Sequence, residues 1–280
     1  MKSVLLSMAL VAVAFGGQVE IDVGGHPESV LVHGKKAFVS NVGAELKPTD
    51  KDGDGYISLL NQKGEMVDKT FITALNAPKG LALIQNTLYV ADVNEVKGFD
   101  ITTKKQVFSL AFDGVNFLND ITVKNAHTLI VSATDSGKIY ELNVKTKTYK
   151  AIADLPTANG VYYTEGKLYA LMLGKTPENM FGGGGKLVEI NPKSGTVTPL
   201  AKTEGILDGV QKVGNSLYFS DWVKMEKAGV IHTYNLKTKA ESDIKIDPIA
   251  GPADFWIDMK NKTIWIPKMI EGKVLVSDLK

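Results

Sequence analysis

The sequence predicts an all-β fold, a six-bladed β-propeller closed by its own N-terminal strand, and three observations carry that reading. Six segments superpose in one register, headed by Glu28, Lys79, Asn119, Asn159, Asp208 and Asp254, with head-to-head steps of 51, 40, 40, 49 and 46 residues. A strand-built period of this size marks a propeller, one blade per repeat. Each head then leads into a strand, a polar turn and a second strand. Counted from the residue after the head to the second strand, the steps are 8, 8, 9, 8, 8 and 9. Finally, the last repeat supplies only three strands, at 255–258, 263–267 and 273–278, whereas an alternating segment at 18–23 (QVEIDV) stands alone before the first repeat. Pairing that segment onto the last blade removes the open edge a sheet would otherwise present.

The elements follow in order. Residues 1–17 read as a secretory signal: Lys2 is the charged start, Val4 to Val13 the apolar core, and Ala12-Val13-Ala14 a small-x-small cleavage site. The apolar run is too short to span a bilayer, so the expected product is exported, periplasmic or secreted, with no membrane span and a single propeller domain over 18–280. The second strands of the blades read AFVSN, LYVAD, LIVSA, LYALM, LYFSD and IWIPK. Third strands read YISLL, EVKGFDI, KIYELN, KLVEIN and VIHTYNL, each followed by a Lys/Asn/Gly-rich hairpin turn. Long loops at 42–55, 174–185 and 223–229 separate second from third strands in three blades, and such loops carry function more often than the scaffold does. The run Gly182–Gly185 lacks the flanking residues of a phosphate loop and reads as a flexible lid over the mouth.

Composition narrows the partners. The net charge is +1, which favours neither nucleic acid nor an anionic membrane and leaves a small molecule as the expected partner. All 32 basic residues are lysine, so bidentate guanidinium clamps on carboxylate or phosphate are absent. There is no cysteine, hence no disulfide and no thiolate metal site.

First strands of a propeller line one channel in the same direction, so the six heads form a ring at one mouth. Glu28, Asn119, Asn159 and Asp208 offer two charges and two neutral carbonyls, a donor set suited to calcium or another hard divalent cation. Such an ion polarises a carbonyl or phosphoryl oxygen as a Lewis acid. The Asn159-Gly160 and Asp208-Gly209 dipeptides also fit simple turns into each blade.

These residues resemble the gluconolactonase, senescence-marker-protein and luciferin-regenerating family of six-bladed propellers, which includes diisopropyl fluorophosphatase. The resemblance rests on PESV with Glu28, FLNDITV with Asn119 and Asp120, ANGVYY with Asn159 and LDGVQ with Asp208. It implies a catalytic calcium on that quartet and a calcium-dependent lactonase or esterase activity, with Asp208 or Asp120 activating water or attacking. Where lactonase members carry an arginine shortly before the Asn-Asp pair, this chain has Phe117 and Leu118. Lys79 either orients an anionic substrate group or pairs with Glu28 and fills the cation site. The second arrangement would make the chain a non-enzymatic propeller that binds a ligand or partner at the same mouth. Asp254 is expected at the substrate as a second base, or as the partner of Lys79, and Trp222 lines the substrate pocket. Asp50, Asp52 and Asp54 match the start of an EF-hand calcium loop, but Asn61 stands where that loop needs its bidentate glutamate, so at most a weak secondary site is expected.

Overall fold

The computed structural model describes residues 17–279 and is a six-bladed β-propeller. The signal segment expected at 1–17 lies, apart from Gly17, outside the described residues. Blade one comprises strands Pro27–His33, Lys36–Asn41, Gly55–Asn61 and Met66–Leu75, paired antiparallel in chain order. Blades two, three and four repeat the pattern from inner strands Pro78–Ile84, Leu118–Asn125 and Ala158–Thr164. Blade five starts at Leu207–Val213 and gains a short extra pairing of Ile249–Ala250 on its third strand, Lys227–Asn235.

Blade six is assembled from both ends of the chain. Its strands Trp256–Asp258, Thr263–Lys268 and Lys273–Asp278 are completed by Gln18–Asp22, whose partners run from Gln18–Ser277 to Asp22–Lys273. The closure predicted from the sequence is the one observed.

Local chemistry explains the repeat. Asn61, Asp100, Asn143 and Asn235 end third strands and Asn191 directly follows one, and each side-chain oxygen accepts the backbone amide two residues on. These Asx turns reverse the chain into the fourth strand and leave the lysines of the turn in solvent. The apolar faces of neighbouring blades then bury each other in six clusters. Phe38, Leu75 and Leu88 join blades one and two, for example, and Val23, Val39 and Trp265 join blades six and one.

Close approach at the channel sets the fine structure. A Cβ on Gly160 would lie 2.1 Å from the Asp208 carbonyl oxygen, and one on Gly209 2.6 Å from Asp254 Cα. Both glycines stand inside strands with no left-handed φ, so they serve blade-to-blade packing and not the turns their dipeptides suggest.

The register also corrects one head. Leu31 faces Phe38 in blade one and Trp256 faces Trp265 in blade six, so the position matching Glu28 is Ala253, not Asp254. The cause is the inner hairpin of blade six. Its turn covers 259–262, two residues longer than the 34–35 turn of blade one, whereas the sequence spacing absorbed only one of them.

Closure by the N-terminal strand carries a thermodynamic consequence. Val23 and Ile21 are buried in the junction between blades six and one. A chain beginning at Gly24 should lose about 3 kcal/mol or more in chemical denaturation relative to one beginning at Gln18. Equal stability of the two would contradict the role assigned to this strand.

Candidate functional site

Five of the predicted heads converge where the sequence places them. Glu28, Lys79, Asn119, Asn159 and Asp208 are all buried and share one cavity of about 200 Å³ at the channel mouth. Each sits at or beside a break in the pairing of its inner strand with the second strand, as between Pro27 and Ser29 or Leu207 and Val210. Bulges of this kind re-aim side chains next to functional sites.

The two amides are oriented by what they donate to. Asn119 Nδ2 donates to Thr134 Oγ1 at 3.0 Å, and Thr134 in turn donates to the Ala158 carbonyl at 2.7 Å. Asn159 Nδ2 donates to the Leu207 carbonyl at 3.0 Å. With the amino groups committed, the carbonyl oxygens are left over. Among the described residues, five buried side-chain polar atoms lack a hydrogen-bond partner, and three of them are Glu28 Oε2, Asn119 Oδ1 and Asn159 Oδ1. Buried polar atoms are normally paired, and an unpaired one costs about 1–3 kcal/mol, so three acceptors around one cavity mark a place for a cation or donor. Among the described residues no group of three His, Cys, Asp or Glu side chains is placed to hold a metal ion; here two of the four candidate donors are amides.

Asp208 is held by Trp222, whose Nε1 donates to Oδ2 at 2.9 Å. Trp222 is itself buried and lines the same cavity. Burial pushes Asp208 up to about 7, against the Trp222 hydrogen bond. Burial, then the charges of Asp208 and Asp254, hold Glu28 well above the usual carboxylate range, with Lys79 pulling the other way.

Lys79 is satisfied by the chain itself. Its ammonium donates to the Ala77 carbonyl at 2.7 Å and the Pro48 carbonyl at 2.9 Å, and it lies 5.3 Å from the centroid of the Phe117 ring. Burial draws its pKa down to about 8, opposed by Glu28 and Asp92. It thus ties the 42–55 loop to the ring.

Asp120 and Asp254 lie one residue farther in, where they line a second cavity of about 300 Å³ on the other side of the ring. Asp120 Oδ2 accepts the Val161 amide and Oδ1 the Ile121 amide, both at 2.6 Å. Ser29 Oγ donates to Asp254 Oδ2 at 2.5 Å. Each carboxylate bridges adjacent blades, and neither lines the mouth cavity with Trp222 and Lys79. Burial raises Asp120 to about 6; burial and the Asp120 charge raise Asp254 well above its ordinary value.

The walls of the mouth come from the three long loops, through Leu46, Pro48, Phe181 and Met225. The sequence marked the loops without identifying these side chains, and it gave no sign of Thr134. In the EF-hand-like segment, Asp54 Oδ2 accepts the Ala44 amide at 2.9 Å, Asp52 Oδ1 accepts the Asp54 amide at 3.3 Å, and Asp50 lies 3.6 Å from Lys47. These three aspartates order the loop that delivers Leu46 and Pro48.

No family model matches the sequence, and a search of curated proteins finds no match. Solved structures do match the fold. A virginiamycin B lyase from Staphylococcus aureus is 14% identical with a TM-score of 0.61, over 94% of this chain and 99% of the lyase. A chain of the nidogen/laminin complex is 12% identical with a TM-score of 0.57, over 92% of each. The computationally designed Ika8 protein is 9% identical with a TM-score of 0.52, over 91% of this chain and 96% of the design. At these identities the likeness supports the six-bladed propeller fold.

A titratable contact supports the 223–229 loop from outside the ring. Asp221 Oδ1 accepts the Val223 and Ile206 amides, and His232 bridges Asp221 Oδ2 (3.2 Å) and Asp243 Oδ1 (2.6 Å). Burial opposes a charge on His232, but the two aspartates prevail and its pKa is raised. Its stabilisation is therefore full below the unfolded value of about 6.5 and is lost as pH rises through the raised folded value. Replacing His232 by Gln should destabilise the protein more at about pH 5.5 than at about pH 8.5. A deficit independent of pH would show that the fold does not raise the pKa of this imidazole.

Proposed function

We propose that the chain is an exported hydrolase of small esters or lactones that works with a calcium-class ion held by Glu28, Asn119, Asn159 and Asp208. One observation carries this reading: Glu28 Oε2, Asn119 Oδ1 and Asn159 Oδ1 are buried and unpartnered around the cavity that Asp208 also lines. Two charged and two neutral hard oxygens fit a divalent ion with slack coordination, and with no histidine or cysteine among them they do not suit zinc. Bound there, such an ion supplies Lewis-acid polarisation of the substrate carbonyl.

The chain's own groups supply the rest. Thr134 and the Leu207 carbonyl hold the two amides with their oxygens free. Trp222 holds Asp208 in place to accept a proton from the attacking water. The water oxygen joins the acyl carbon, the acyl–oxygen bond to the alcohol breaks, and the proton passes by way of Asp208 to the leaving alkoxide. Asp120, with both oxygens on backbone amides, acts as a brace between blades.

Lys79 separates this reading from a non-enzymatic propeller whose lysine fills the cation site. Two backbone carbonyls hold the ammonium, and Glu28 Oε2 keeps no partner, which favours a site that takes an added cation. Export rests on the pattern of residues 1–17.

Calcium should therefore raise the melting temperature, because a ligand that binds only the native state stabilises it by mass action. Asp208→Ala should abolish the response, and Asp54→Ala should retain most of it. A response lost equally in both variants would move the ion to the loop over blade one; no response in the parent would refute the metal site.

A further inference from the structure

We infer that the mouth admits apolar esters or lactones in preference to polyhydroxylated ones; the chemistry, though not the binding, rests on the hydrolase reading. The cavity is divided by polarity. All its charged and amide groups lie in the ring at its floor, and the rest of its lining is apolar, including Leu46, Phe117, Leu173, Phe181, Met225 and Met269. The rim continues the same character. Phe181 and Met225, which line it, are two of the eight large hydrophobic side chains that stand exposed among the described residues.

The polar groups of the floor decide what a substrate can offer. Each donor group there is held by the protein: Lys79 by two carbonyls, the Asn119 and Asn159 amino groups by Thr134 and Leu207, and Trp222 by Asp208. The floor atoms left with no partner are acceptor oxygens. The hydroxyls of a sugar lactone would be buried against hydrocarbon, at a cost for each one left unpaired. An aliphatic chain, in contrast, gains from every methylene it buries. The volume, about 200 Å³, falls below that of pockets for drug-sized ligands, so the chain must be short.

The test is a calcium-loaded titration of the protein with γ-butyrolactone, γ-caprolactone, γ-octalactone and glucono-1,5-lactone. Binding is read by calorimetry and turnover by pH-stat. Affinity should tighten about fourfold per added methylene until the cavity is full, with the sugar lactone weakest. Met225→Lys, in the apolar wall, should weaken γ-octalactone about tenfold and flatten the dependence of affinity on chain length. Chain-length-dependent binding without turnover would uphold the apolar specificity while refuting the hydrolase reading. Turnover of glucono-1,5-lactone with a flat response to chain length would overturn the specificity and leave the hydrolase reading standing. Failure of every lactone to bind would overturn the specificity outright.

Discussion

The close approach of adjacent blades at the channel is the constraint on which the rest of this structure depends. The residue after each head lies against the backbone of the next blade, and at three positions only glycine fits. A Cβ on Gly80 would meet Asp120 Cα at 2.5 Å, as one on Gly160 would meet the Asp208 carbonyl and one on Gly209 would meet Asp254 Cα. Two of these glycines make room for carboxylates that tie the ring together. Asp120 reaches across to the Val161 amide, and Asp254 receives the Ser29 hydroxyl. The blades are thereby locked in phase, and the heads one residue outward are fixed at a common height.

The chemistry of the mouth follows from that geometry. Glu28 and Asp208 are brought together in a buried space, where each is raised above its usual pKa and repulsion between them is felt strongly. Nearby Lys79 offsets part of this charge but spends its hydrogen bonds on the Pro48 and Ala77 carbonyls. Two amides complete the ring with their oxygens unpaired. The hard divalent cation proposed for this site would answer the charge and the unpaired oxygens at once.

Much of this was legible in the sequence, for a physical reason. Blade closure imposes one spacing on all repeats, so a residue type recurring in that register reports a place in space as well as in sequence. Hence Glu28, Asn119, Asn159 and Asp208 were identifiable without coordinates. The register misplaced Asp254 because a turn two residues longer in blade six is silent in a pattern of polar and apolar residues. The partners of Lys79 were also hidden, since backbone carbonyls have no sequence signature. Phe181 and Met225 sit on loops whose paths depend on local contacts, and nothing periodic distinguishes them from other exposed hydrophobics.

The central claim, that these side chains together hold a hard cation, is tested most directly by terbium luminescence. Terbium replaces calcium on oxygen ligands and emits when a nearby tryptophan is excited. Trp222 donates a hydrogen bond to Asp208, so it stands within reach of any ion on that carboxylate. The account predicts sensitised emission that calcium competes away and that Trp222→Phe abolishes while Trp256→Phe does not. Absence of emission, or emission that survives the loss of Trp222, would contradict it.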